Sequence, residues 1–176
     1  MKSWKQEIER EREEKDRYFK YAPQSPIPFQ ERANFEGLNY YPLTEKLRFE
    51  LALNEHKEKR SIRVEDTKGG IREYFRWGEF RFKIDKKEHA LQAYKGNKEE
   101  EWLWVPFKDK TSGKETYGAG RYMDLESSRH KISGVWRLDF NRAYNPFCAY
   151  SQRYICPFIP PENWLEIPIR AGEKKY

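Results

Sequence analysis

IREYFRWGEFRFKIDKKEHALQAYKGNKEEEWLWVPF, residues 71–107, decides the fold class. Phe80, Phe82 and Ile84 fall on one side of an extended chain, with Glu79, Arg81 and Lys83 on the other. That period of two is the pattern of a strand with one buried face. Gly78 separates IREYFRW from EFRFKI, His89 to Tyr94 reads as a further strand, and Lys95-Gly96-Asn97-Lys98 reverses the chain into EEWLWVPF. Upstream, Leu47, Phe49, Leu51 and Leu53 alternate with Arg48, Glu50 and Ala52. Ile62 and Val64 continue the pattern before a turn at Asp66-Thr67-Lys68-Gly69-Gly70. Successive short strands joined by close turns predict a mainly β fold: a small antiparallel β-barrel, or a sandwich-like meander.

Outside this body the period changes. Residues 3–20 read as a helix, with Ser3 and Gln6 spaced as a capping box and Glu7 and Glu9 in the dipole-positive turns. Trp4, Ile8, Lys15 and Phe19 give it only a thin apolar stripe, so the helix is expected to lie along the outside of something. Pro23 and Ser25-Pro26-Ile27-Pro28 end it. No composition break or repeat divides the chain. The expected organisation is a single domain over 1–176, with 1–34 as helix and wrapping extension and 35–176 as a β body with long polar loops.

Composition narrows the functional classes. Only 37% of the 176 residues are hydrophobic and 36% are charged, yet 16% are aromatic, so an aromatic-rich core replaces an aliphatic one and a disordered chain is excluded. The net charge is +6, with the largest local excess between Arg48 and Lys95, where 13 basic residues meet 9 acidic ones. The two signs interleave, as in GEFRFKIDKKEH, which argues against a nucleic-acid partner. A charged N-terminus without an apolar core, and no run near the roughly 20 apolar residues of a membrane span, make a soluble cytoplasmic protein the expectation. The abundance of Lys, Glu and Arg beside two Cys and two Met resembles thermophile usage.

Two polar segments hold the candidate functional residues. DKTSGKETYGAGRY, residues 109–122, has Gly118 and Gly120 for positive φ or close backbone approach, and Arg121 as a positive charge for an anion. It is not GxxxxGK[ST], and no P-loop is implied. DFNRAYNPFCAYSQRYICPFIPPENWLEIPIRAGE, residues 139–173, concentrates amide, phenol and proline residues. There Asp139 and Asn141 flank Phe140 at strand spacing, and Leu165, Ile167 and Ile169 alternate as an edge strand around Pro168. The two segments are expected to converge on one pocket in which Thr111, Glu115, Tyr117, Arg121, Asp139, Asn141, Tyr144 and Tyr150 bind a small polar or anionic molecule.

FKDKTSGKETYGAGRYM, DFNRAYNPFCAYS and CPFIPPENWLEIPIRAGEK, with SPIPF and FEGLNYYP upstream, resemble the signature of the uncharacterised family called domain of unknown function 1684. The resemblance implies a compact soluble domain found mainly in prokaryotes, with no assigned reaction.

An enzyme remains the alternative, with Glu115 or Asp139 as acid and base; an interaction protein is a third reading. Ser151 lies outside a G-x-S-x-G context, and no histidine in the segment could activate Cys148 or Cys156. Those cysteines are eight positions apart, a spacing that matches no zinc knuckle, so neither metal nor cofactor is expected. They could be buried thiols or a disulfide.

Overall fold

The computed structural model describes residues 3–176. Helix α1 spans Trp4–Tyr21, and its capping box is formed: the Ser3 hydroxyl accepts from the Gln6 amide while the Gln6 side chain accepts from Ser3 N–H. Only Ile8 and Phe19 of α1 are buried. Two apolar anchors cannot hold eighteen residues, and polar side chains complete the attachment. Trp4 Nε1 donates to Asp139 at 2.7 Å, Arg12 donates to the Tyr41 and Asn141 carbonyls at 3.2 and 3.3 Å, and Lys15 pairs with buried Glu173. Asp16 accepts from Leu38 N–H at 3.0 Å and Lys20 reaches the Phe35 carbonyl at 2.9 Å.

The β body begins with β1 (Arg48–Leu51), β2 (Asn54–Glu55), β3 (Ser61–Glu65), β4 (Ile71–Ile84), β5 (Lys87–Lys95), β6 (Trp102–Phe107) and β7 (Arg121–Glu126). A single helical turn α2 (Ser127–His130), then β8 (Lys131–Ile132) and β9 (Val135–Asp139), complete it. These form two antiparallel sheets, one ordered β1-β9-β8 and one ordered β2-β4-β5-β6-β7 with β3 also on β4. The strands expected on either side of Gly78 are one fourteen-residue strand, whose register shifts between Arg76 and Gly78. The bulge absorbs the glycine without ending the ladder. Asp85 and Lys86, both with positive φ (50° and 64°), make the two-residue hairpin turn into β5.

Neither sheet closes on itself, so the expected barrel is not formed. The sheets instead face each other through aromatic rings. Phe49 meets Phe82 at 5.2 Å, Phe107 meets Phe140 edge-on at 5.2 Å, and Phe80 meets Trp136 at 6.4 Å. Leu91, Leu103, Val105, Met123, Leu125 and Leu138 fill the space between. Each such side chain removed from water contributes about 2–3 kcal/mol, which lets an aromatic-rich sequence of low apolar fraction form a core.

Trp136, Leu138 and Phe140 face inward, so Arg137 and Asp139 lie on the outer side of β9. Helix α1 covers Asp139 there, and burial of that carboxylate follows from the polar docking of the helix. The segment expected as an edge strand at Leu165–Ile169 is not one. It runs beside residues 108–110, with Leu165 N–H on the Lys108 carbonyl (2.7 Å) and Lys110 N–H on the Ile167 carbonyl (3.1 Å). Pro168 offers no donor to extend the ladder, and Ile169 N–H turns to the Asp109 carboxylate at 2.5 Å. Among the described residues, no helix is long and apolar enough to cross a membrane.

Candidate functional site

The two polar segments do meet. Tyr122 and Tyr144 exchange backbone hydrogen bonds of 2.9 and 3.0 Å, and residues 169–173, the end of the second segment, lie against Arg121 of the first and Tyr150 of their own. What they enclose around Arg121 is packed. The guanidinium is fully buried, donating to the Ile169 carbonyl at 2.7 Å, the Glu173 carbonyl at 3.1 Å and the Ala171 carbonyl, with Asp109 3.6 Å away and the Phe107 ring centroid at 5.0 Å. Burial lowers its pKa, against the pull of Asp109. Asp109 in turn accepts from the hydroxyls of Thr111 (2.9 Å) and Ser112 (3.1 Å), and Thr111 also meets Thr116 at 2.9 Å. Arg121 therefore acts as a structural clasp on the C-terminal segment, and its terminal nitrogens are directed to carbonyls rather than to a cavity.

The other expected residues divide in the same way. Glu115 accepts from Tyr41 OH at 2.9 Å and from both ends of the Arg170 fork (2.8 and 3.0 Å), and these bonds hold its carboxyl below the usual range. Tyr117 OH lies 3.6 Å from Cys148 Sγ, and Tyr150 OH donates to Glu173 at 2.6 Å. Asp139 receives Trp4, Arg142 at 3.1 Å, and both the amide N–H (3.0 Å) and side-chain nitrogen (2.7 Å) of Asn141. Asn141 sits on a 3-10 turn, not a strand, and its amide brackets the backbone of Thr44 at 2.8 and 2.9 Å.

A cleft of about 330 Å³ opens between α1, Tyr40, β7, α2 and the turn after β9. Asp139, Asn141 and Tyr144 line it; Thr111, Glu115, Tyr117, Arg121 and Tyr150 do not. Its apolar floor is Ile8, Met123, Leu125 and Ala143. Sequence reasoning missed the groups that carry its chemistry: Arg12, Tyr40, Asp124 and His130. Asp124 Oδ2 accepts from Tyr144 OH at 2.5 Å, while the buried Oδ1 has no hydrogen-bond partner. Burial pushes this carboxyl above its ordinary range, against the stabilising bond from Tyr144. Arg12 Nε and Tyr40 OH are likewise buried without a partner, and the Arg12 guanidinium lies 4.2 Å from the Tyr40 ring centroid. Burial lowers the pKa of Arg12 and pushes the Tyr40 phenol far up. His130 Nδ1 accepts from Glu126 N–H at 2.9 Å, which places the proton of the neutral ring on Nε2, and burial favours that neutral form.

None of these four sits in a chemical motif, although Tyr40 lies in FEGLNYYP. Arg12 lies among glutamates in a helix that reads as solvent-facing, and Asp124 occupies an ordinary outward position of β7. Together they offer one acceptor and three donors over an apolar floor. Among the described residues, no group of three His, Cys, Asp or Glu side chains is placed to hold a metal ion. Cys148 and Cys156 are free thiols; Cys148 N–H donates to Cys156 Sγ at 3.4 Å. Bonds from the Cys156 thiol and Tyr117 OH lower the Cys148 thiol to about 7.

Among solved structures, the chain is similar to an uncharacterized protein of Haloarcula marismortui known from a solution NMR structure. The two share 39% identity with a TM-score of 0.74, over 97% of this chain and 94% of that one. No curated protein matches the sequence. The family model for a protein of unknown function, DUF1684, matches residues 33–174. The matched range takes in both Arg121 and the turn that lines the cleft, and the chain belongs to that family.

Proposed function

We propose that the protein, acting as one unit over its 176 residues, binds a small polar molecule in the cleft beneath α1. The observation that carries this reading is that Arg12, Tyr40 and Asp124, each with a buried polar atom that has no partner, line one cleft. Leaving such groups unpaired costs about 1–3 kcal/mol apiece, a penalty that a ligand with matching donors and acceptors removes. The acceptor at Asp124 and the donors at Arg12 and Tyr40 suit a ligand bearing both kinds of group, such as an amide, a polyol or a zwitterion. Asp139, Asn141 and Tyr144 support this wall; Arg121 contributes through the fold.

Acid–base catalysis is the second reading, favoured by one observation. A carboxyl raised by burial and a neutral imidazole, Asp124 and His130, line the same cleft. In that reading Asp124, rather than Glu115 or Asp139, moves the proton.

The test is a thermal-shift series with small amides, polyols and amino acids on wild-type protein, Asp124→Asn and Tyr40→Phe. Binding in the cleft predicts a ligand-dependent rise in Tm that both variants lose while remaining folded. A shift retained by both variants refutes the site, and turnover lost in Asp124→Asn with binding intact selects the catalytic reading.

A further inference from the structure

A second cleft, also of about 330 Å³, lies on the face of the larger sheet turned away from the main core, and its walls are aromatic. Tyr74, Trp102, Trp104, Tyr122 and Tyr144 line it, with Glu100, Asp124 and Pro157. We propose that this cleft is a binding site for a small organic cation, an alkyl- or quaternary ammonium group.

Charge complementarity carries the choice of ligand. Ring faces carry negative quadrupole density, and several rings about one cavity attract a cation without hydrating it. The ionisable side chains on the wall other than tyrosines are the carboxyls of Glu100 and Asp124; among the described residues no lysine or arginine lines it, although the chain carries a net charge of +6. Arg72, beside the Tyr74 hydroxyl, is held elsewhere by the Ile155 carbonyl at 3.2 Å and by Asp66 at 3.7 Å. Tyr144 fixes Asp124 through Oδ2, leaving the buried Oδ1 free of hydrogen bonds. Burial disfavours this carboxylate, and a positive charge in the cleft restores it.

The rings hold one another in place. Trp104 stacks on Tyr74 at 4.7 Å and takes Tyr122 against its edge at 5.2 Å, and Tyr122 meets Tyr144 edge-on at 6.0 Å. The chain itself places an ammonium against this group, with Lys15 Nζ 4.9 Å from the Tyr144 centroid on the α1 side. A bare metal ion suits the cleft poorly, since two carboxylates fall short of the 6–8 oxygens that a calcium ion takes. Trp102, 45% exposed, forms the rim, so a ligand can enter without unfolding the sheet.

This site shares Asp124 with the cleft beneath α1, but Trp102 and Tyr74 belong to the aromatic cleft and not to the other. The test uses the intact protein and follows tryptophan fluorescence during titration with tetramethylammonium and with choline, at ionic strength held constant with sodium chloride. A saturable change is expected for both cations. 3,3-Dimethylbutanol, the uncharged analogue of choline, is expected to bind at least about tenfold more weakly, because it gains burial without the cation–π and carboxylate attraction. Asp124→Asn and Trp102→Leu are each expected to weaken choline at least about tenfold. Shifts of the indole N–H resonances on titration give a second readout that does not depend on quenching. No saturable response to either cation overturns the proposal. Equal binding of 3,3-dimethylbutanol also overturns it, as does unchanged affinity in folded Trp102→Leu.

Discussion

Replacing Arg121 by methionine tests whether the strongest charge in the polar segments is a clasp or a ligand-binding group. The side chain is completely buried and makes three hydrogen bonds to the carbonyls of residues 169, 171 and 173, opposite Asp109 at 3.6 Å. Methionine preserves much of the volume but leaves three carbonyls without their donor and the buried Asp109 carboxylate without its counter-charge. Removing one member of a buried pair costs about 3–5 kcal/mol, and three carbonyl bonds at about 1–1.5 kcal/mol each give the same range by a separate route. A chain of this size shifts by about 2–4 °C in Tm per kcal/mol, so a fall of roughly 6–20 °C is expected. A thermal melt measures the Tm and urea denaturation followed by tryptophan fluorescence the free energy, with Arg121→Lys as a comparison. Lysine retains the charge but cannot span three carbonyls, so it is expected to recover less than half the loss. A loss below about 1 kcal/mol in Arg121→Met would refute the clasp, because its three carbonyl bonds could not then be made in solution.

Gly172 has φ +74°, and a Cβ there would lie 2.5 Å from the Ala143 carbonyl and 2.7 Å from that of Phe140, whereas Gly69 at φ +79° has open space. Gly69→Ala is therefore expected to cost only the left-handed penalty of about 1–2 kcal/mol, and Gly172→Ala at least about 3 kcal/mol or the fold itself; equal losses in urea melts would show that the close approach is absent. The folded protein holds the Asp124 proton to higher pH than the unfolded chain, so wild-type stability falls as pH rises above the unfolded value of about 3.9. Asp124→Asn removes that loss while keeping an acceptor for Tyr144, so its stability advantage should grow as pH rises above the unfolded value of about 3.9; an advantage that shrinks on that rise contradicts the assigned direction. Alkylation by iodoacetamide should modify Cys148 first, with a rate that climbs through a pH of about 7, and the Tyr117→Phe change should move that midpoint upward. Preferential labelling of the buried Cys156, mapped by mass spectrometry, would reverse the pairing described for the two thiols.

The period of two from Phe80 to Ile84, the turn at residues 66–70 and the Ser3–Gln6 box were legible because each is a local pattern. Alternation fixes which side chains share a face, and capping needs only a spacing of three. The same pattern leaves open whether strands curl into a barrel or separate into two sheets, since sheet closure depends on pairings between distant strands. β1 pairs with β9 across almost ninety residues, and nothing local announces it. The family signature was likewise carried by contiguous motifs and could be read directly from the sequence.

The sites show the same division. Polar segments 109–122 and 139–173 stand out by composition, and they do meet, yet composition cannot say whether a polar group points at a ligand or at a carbonyl. Tertiary structure decides that, because the partners of Arg121 lie about fifty residues away along the chain. It decides equally for the reverse case. In the sequence Arg12 looks like one more charge on a solvated helix and Asp124 like one more polar residue between two strands, and only the fold buries polar atoms of both beside one cleft. Local patterns in the sequence were enough for helix α1, the strands from β3 to β6 and the family. Which polar groups are satisfied and which are left facing a cleft follows from long-range packing, because desolvation depends on everything that surrounds an atom and not on its neighbours in the chain.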